Sequence, residues 1–293
     1  MVQETSMRRR FGAPRHNASM QSGEPGWRDT EPGSAEDGAR ERLNLGSRAK
    51  RLRRLWRVMP RAPRCKMCNS PFGGPGGAVM RLIGKGRWPA NPSYCGGCFK
   101  ALYTHRAGAE IECTLLFADV RGSTHLAEAM RPSDYRRLID RFYATASEIL
   151  VGYDAIVDKF VGDEVIGIFI PALTETRHAR QAIDAGLALL RASGHETDAP
   201  WIPIGIGVNT GLAYVGAVGT AEHVEFTALG DTVNVTARLA STAAAGEILV
   251  TEAAARAAEL PDAGLEHRHL DLKGKSESTD VVALTLGHPP LGG

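Results

Sequence analysis

The chain has 293 residues, 43% of them apolar, and 35 Lys and Arg against 33 Asp and Glu give a formal net charge of +2. That is enough apolar material for one or two globular domains with a sizeable core. The longest apolar stretch, Val165 to Leu173, is far short of the roughly 18 residues a membrane span needs, and Met1 to Met20 has no hydrophobic run of the signal-peptide kind; both point to a cytoplasmic chain.

Residues 1 to 47 are rich in Gly, Pro, Ser, Arg and Glu without apolar periodicity. Such a segment cannot bury enough surface to offset its conformational entropy, and it is expected to be a disordered tail. The next segment, 48–63, is different in kind. Arg48 to Lys66 holds nine Lys or Arg residues and no acid, and Leu52, Leu55, Trp56 and Met59 recur at the spacing of one helical face. A basic amphipathic helix closed by Pro60 is predicted, its apolar face open to packing on the protein or a partner, to a membrane surface, or to nucleic acid.

Residues 64–100 form a Gly- and Pro-rich module around two C-x-x-C pairs, Cys65/Cys68 and Cys95/Cys98, separated by 26 residues. Each pair can bite one tetrahedral ion, and four thiolates suit structural Zn²⁺. The spacer is longer than in the usual zinc ribbon, and four cysteines can equally hold a [2Fe–2S] cluster and so form a redox sensor. Cys113 stands apart near a strand and reads as packing. A connector over 101–109, continuing a helical pattern from Phe99 to His105, is the expected lever between this module and the C-terminal domain.

From 110 to 287 strand-like runs alternate with helical patterns. The strands are Ile111 to Phe117, Ala155 to Phe160, Val165 to Ile170, Pro203 to Val208, Leu212 to Val218, Glu247 to Thr251 and Val281 to Thr285; the helices are Pro132 to Val151, Glu175 to Arg191 and Thr232 to Ser241. This mixture predicts an α+β fold, helices laid on a mainly antiparallel sheet.

Three segments carry candidate chemistry. Leu116 to Thr124 brings one carboxylate, Asp119, to the end of an apolar strand and then turns through Arg121-Gly122-Ser123-Thr124 into a helical run. Such a turn can aim backbone N–H groups at a phosphate, although an Asp there can also be only a helix N-cap. Lys159 to Val165 reads as a hairpin with Gly162-Asp163 at its tip, where Asp163 is either an ordinary turn residue or the partner of Asp119. Two converging carboxylates repel unless a divalent cation lies between them, which suggests Mg²⁺ or Mn²⁺. Glu225 to Leu239 places Asp231 as an N-cap and Asn234 and Arg238 at i and i+4 on one helical face, a ligand-binding pair or a solvated face.

Together, in this order, the three segments resemble the class III adenylyl and guanylyl cyclase catalytic domain. The resemblance extends over about residues 110 to 287, including Ile204-Gly205-Ile206-Gly207-Val208-Asn209-Thr210-Gly211 and the late Leu272-Lys273-Gly274-Lys275. It implies a ferredoxin-like, palm-type α/β sandwich and conversion of ATP into 3′,5′-cyclic AMP and pyrophosphate. In that family the positions matching Asp119 and Asp163 hold two Mg²⁺ or Mn²⁺ ions, and the triphosphate lies over the turn matching Arg121 to Thr124. Positions matching Asn234 and Arg238 act on the ribose and the α-phosphate of a site in the other subunit, so the resemblance implies a homodimer. Either Lys273 or Lys275 is expected near the terminal phosphates. Lys159 and Thr227 match the base-reading positions: the Lys favours ATP, while Thr stands where many adenylyl cyclases have Asp and resembles a subgroup that includes bicarbonate-responsive enzymes. GTP remains the alternative substrate. Gly162-Asp163-Glu164 also resembles the Gly-Gly-Asp-Glu-Phe signature of diguanylate cyclases, which would not carry the Asn234 and Arg238 pair. A non-catalytic protein binding nucleic acid or a partner through its cysteine module and basic helix is the reading from a different class.

Overall fold

A computed structural model of the chain describes residues 64–287, apart from 66, 89–93, 106–107, 220–223, 262–263, 273–274 and 276–277. The expected tail and the basic helix lie outside the described residues.

Two short helices come first, α1 (Gly74–Leu82) and α2 (Gly96–His105), followed by the long strand β1 (Gly108–Val120). The helices α3 (Ser123–Ala129) and α4 (Pro132–Gly152) lead into a hairpin of β2 (Ile156–Val161) and β3 (Glu164–Phe169). After the single turn α5 (Pro171–Thr174) come α6 (His178–Ser193), β4 (Ile204–Gly219) and β5 (Val224–Leu229). The chain ends with α7 (Asp231–Thr242), β6 (Ile248–Thr251), α8 (Glu252–Ala257), β7 (Glu266–Leu270) and β8 (Thr279–Leu284). The strands form one sheet in the order β2-β3-β1-β4-β6-β8-β7, with β5 paired to β4. All pairings are antiparallel except β4 with β6, which agrees with the mainly antiparallel sheet expected.

Alternation along β1 explains why its sequence from Leu115 to Ala118 is apolar without a break. Leu116, Ala118 and Val120 face a core made with α4 and α6, while Cys113, Leu115 and Phe117 face a second core on the other side. A strand buried on both faces needs apolar residues at successive positions. On the first side α4 begins with Pro at its first turn and buries Ile139, Phe142, Ala146 and Leu150, one stripe of its surface. Helix α6 ends at Gly194, whose φ of 94° is the left-handed C-cap that glycine adopts without strain.

Where two strands were expected at Pro203 to Val208 and Leu212 to Val218, the structure has the single strand β4. The expected break between them, Asn209-Thr210-Gly211, continues the strand in register with β1, and the glycines before it are the seat of α7. A Cβ on Gly207 would lie 2.5 Å from Ala240 N, and one on Gly205 2.6 Å from Ala243 O, so only glycine at these alternate positions lets the helix backbone come this close. Strands β5 and β7 and helices α1 and α8 were not foreseen. The two strands are short and interrupted by polar residues, and pairing with β4 and β8 sets their conformation; α1 begins in a Gly- and Pro-rich run and α8 is only six residues long.

The cysteine module is packed against the sheet. Cys65, Phe72, Tyr94 and Cys95 belong to the same buried cluster as Leu115, Phe117, Ile166, Ile168, Phe226 and Ala228. It packs directly on the face of the sheet opposite α4 and α6.

Candidate active site and cysteine cluster

Two turns meet at one end of β1. Asp119 stands opposite Glu164 in the β1–β3 register, and the backbone N–H of Val120 donates a 3.3 Å hydrogen bond to the carbonyl of Asp163. The β2–β3 hairpin is closed by Gly162-Asp163 as expected, with Gly162 at φ 64°, and the hydroxyl of Tyr143 on α4 donates to the Gly162 carbonyl. Asp119 is not a helix cap. The N-cap of α3 is Gly122, at φ 66°, and a Cβ added there would meet nothing within 4 Å, so the turn from Arg121 to Thr124 is open on that side.

The turns that carry Asp119 and Asp163 are therefore adjacent, and two carboxylates converging there would suit a hard divalent cation. Arg121 supplies the compensating charge in this structure: its guanidinium pairs with Asp119 and donates a 2.6 Å hydrogen bond to the carbonyl of Ser241 on α7. Glu164 shares the same low-dielectric corner. Burial first, and the Asp163 carboxylate second, push it up to about 7.

Helix α7 buries Val235, Thr236, Leu239 and Ala240 against the sheet, leaving Asn234 exposed and Arg238 half-buried one turn further on. The pair thus shares the face turned away from its own core. Gly230, not Asp231, is the N-cap of α7; Asp231 is the first helical residue and pairs with the ammonium of Lys275. Of the two candidate lysines, Lys275 is thereby placed at the N-terminus of the Asn234 helix, while Lys273 lies outside the described residues.

Thr227 sits in the middle of β5, 5% exposed, and its hydroxyl donates a 2.6 Å hydrogen bond to Oδ2 of Asp158. Lys159, next to Asp158, lies in an irregular stretch of β2, where the register with β3 shifts between Val157 and Phe160. Asp158 was not singled out from sequence. Its signal was there: a charged residue inside the apolar run Ala155 to Phe160.

In the module, Sγ atoms of Cys65, Cys68, Cys95 and Cys98 all lie within 4.8 Å of one another and none is in a disulfide. The edge of a tetrahedron with metal–sulfur bonds of about 2.3 Å is roughly 3.8 Å, and Cys68 Sγ to Cys95 Sγ is 3.7 Å. Backbone N–H groups point at the sulfurs, Cys95 N to Cys65 Sγ at 3.3 Å and Cys98 N to Cys95 Sγ at 3.5 Å, an arrangement that favours thiolates. Hydrogen bonds among the four thiols split them, holding Cys68 below the usual thiol range and Cys95 down to about 7 while pushing Cys65 and Cys98 up. These donors fit a bound metal ion. Cys113, by contrast, is fully buried among apolar residues, which push its thiol up to about 12.

Comparison with known proteins adds a family. Residues 106–283 match the adenylate and guanylate cyclase catalytic domain. Adenylate cyclase 1 of Rhizobium meliloti is 33% identical over 140 residues, 46% of this chain and 21% of that protein. The adenylate cyclase of Anabaena cylindrica is 30% identical over 178 residues, 57% of this chain and 36% of that protein. The chain thus spans well under half the length of these relatives. Among solved structures, the adenylyl cyclase CyaB from P. aeruginosa superposes with a TM-score of 0.56 at 25% identity, covering 64% of this chain and 99% of that one. The guanylyl cyclase Cya2 has the same fold, with a TM-score of 0.55 at 24% identity over 62% of this chain and 96% of that one.

Proposed function

Because the chain belongs to the adenylyl and guanylyl cyclase family, we propose that it converts ATP into 3′,5′-cyclic AMP and pyrophosphate in a homodimer with shared active sites. The observation that carries the reading is the hydrogen bond from Val120 N to Asp163 O, which ties the two carboxylate-bearing turns together.

Asp119 and Asp163 would hold Mg²⁺ or Mn²⁺. When bound, two such ions would supply charge neutralisation along the triphosphate and lower the pKa of the ribose 3′-hydroxyl for in-line attack on the α-phosphorus. The open turn offers the backbone of Gly122 to Thr124 to the phosphates, and the approach of substrate gives the Arg121 side chain a second anionic partner besides Asp119. Lys275, on Asp231, stands at the start of α7 as a further cation for the terminal phosphates, with Lys273 the other candidate.

Asn234 and Arg238 face away from their own sheet, which supports their use by a second copy. There Asn234 orients the ribose, and Arg238 stabilises charge gathering on the α-phosphate in the transition state. Leu212 and Leu229, 59% and 48% exposed on neighbouring strands, give β4 and β5 an apolar surface open to a partner. Lys159 donates to adenine N1, and Thr227 accepts from its exocyclic amine.

The cysteine cluster is read as a closed structural Zn²⁺ site. Four sulfurs spaced as the corners of one tetrahedron suit a single ion, whereas a [2Fe–2S] cluster would hold two thiolate pairs further apart.

Purified protein incubated with Mg²⁺ or Mn²⁺ and either ATP or GTP tests the reading. Cyclic AMP formed in preference to cyclic GMP is expected; cyclic GMP as the main product would assign the guanylyl alternative, and no cyclic nucleotide from a dimeric sample would sink the activity.

A further inference from the structure

The irregularity in β2 has a chemical result. One extra residue on β2 between the pairs Val157↔Gly167 and Phe160↔Val165 makes a bulge at Asp158 and Lys159, and bulges re-aim side chains. Here the Asp158 carboxylate is turned into the protein, where it is only 2% exposed. A carboxylate that deep must be compensated by hydrogen bonds, and one comes from Thr227 Oγ1 at 2.6 Å. That length falls in the range of charge-assisted O–H···O⁻ bonds. The competing acceptor for the same proton, the carbonyl of Ala228, is 3.5 Å away.

A threonine hydroxyl has one proton and two lone pairs, and an ionised carboxylate can only accept. With its proton committed to Asp158, Oγ1 has only acceptor capacity left for a ligand. We propose that Asp158 is a specificity-positioning residue: it fixes Thr227 as a hydrogen-bond acceptor, so the base site takes an exocyclic amine, as on adenine, and rejects a keto oxygen, as on guanine. The proposal rests on the reading that Thr227 meets the base. It also gives a physical reason why a hydroxyl, which by itself could serve either base, can discriminate. The carboxylate acts from one side chain behind the hydroxyl.

Asp158→Asn keeps the shape but offers an amide donor to Oγ1, which frees the Thr227 proton to point at the ligand. With the full-length chain in Mg²⁺ or Mn²⁺, the ratio of kcat/KM for ATP to kcat/KM for GTP is expected to fall about 10- to 100-fold in this variant, the size of one hydrogen bond to a charged group. Thr227→Val, which removes the hydroxyl at nearly constant volume, should also lower the ratio, and adding Asp158→Asn to it should change the ratio no further. An unchanged ratio in Asp158→Asn overturns the proposal, as does an equal change in the Thr227→Val background. Should Asp158→Asn fail to fold, Thr227→Val alone decides, an unaltered ratio overturning the proposal. The wild-type ratio separates this from the reading beneath it. A wild type that does not prefer ATP contradicts the assignment of the base site, whereas an ATP-preferring wild type with an unresponsive Asp158→Asn contradicts only the role given to Asp158.

Discussion

The backbone N–H of Phe226 donates a 2.9 Å hydrogen bond to the hydroxyl oxygen of Tyr94. Tyr94 immediately precedes Cys95 and Phe226 immediately precedes Thr227, so one bond joins the cysteine cluster to the strand that carries the Thr227 hydroxyl. Both side chains are buried. Burial, and then the Asp158 and Glu225 carboxylates, push the Tyr94 phenol up, so it is held in its neutral form.

Tyr94→Phe removes the acceptor and leaves the Phe226 N–H buried without it. The expected cost is about 1–3 kcal/mol of folding stability, measured by denaturant unfolding of the metal-loaded protein. Stability equal to wild type would mean that the bond does not hold the module to β5.

Metal removal should be felt in the cyclase core, because Cys65 and Cys95 are 0% exposed and share a hydrophobic cluster with Phe117 and Phe226. A chelator, or Cys65→Ser, is expected to lower the Tm of the whole catalytic domain rather than to release a separate module. Metal analysis should give one zinc per chain and a colourless protein; visible absorption would identify an iron–sulfur cluster instead.

Gly207→Ala places a methyl 2.5 Å from Ala240 N. Helix α7 must then move, and Asn234 and Arg238 with it. A displacement of about 1 Å at such groups can cost on the order of 10²-fold in turnover, and overpacking costs about 1–3 kcal/mol of stability. Gly152→Ala is the control: its Cβ would meet nothing within 4 Å, so activity and stability should be retained.

Two histidines set an acid limit. Burial lowers His178, partly opposed by Glu112, and lowers His195. His178 Nδ1 lies 2.7 Å from Thr114 Oγ1, and His195 Nε2 accepts from Ile204 N at 3.1 Å, a bond available only to the unprotonated ring nitrogen. Unfolding restores the ordinary value of about 6.5, so below it the unfolded chain binds more protons. Stability should be full above about pH 6.5 and fall as pH drops through that value towards the folded-state values. Unfolding curves between pH 5 and 8, compared with those of a His195→Gln variant, would show this slope and its partial loss.

Much of this was legible in the chain, and the exceptions have physical causes. Asp119 and Asp163 could be singled out because short apolar runs lead directly into the glycine turns beside them. The long helices α4 and α6 showed their buried stripes. The continuous strand β4 was not legible: Asn209-Thr210-Gly211 reads as a break, and only its pairing with Cys113 to Leu115 of β1 shows that the strand runs on. Asp158 escaped notice because alternation places residues on faces only in a regular strand, and β2 is bulged at that residue. The docking of the cysteine module depends on contacts such as Tyr94 with Phe226, 132 residues apart, which local pattern does not encode. Among the described residues no helix is long and apolar enough to cross a membrane.

The central claim, a cyclase site divided between two copies of this chain, is tested by mixing two inactive variants. Asp119→Asn removes the proposed metal ligand and Arg238→Ala the proposed transition-state cation, and each alone should be inactive. If the halves come from different chains, every heterodimer contains one site carrying both lesions and one carrying neither. Co-refolded or co-expressed in equal amounts, the mixture should recover about one quarter of wild-type cyclic nucleotide synthesis. Activity no higher than that of the separate variants, with heterodimers demonstrated in the sample, would contradict the shared site.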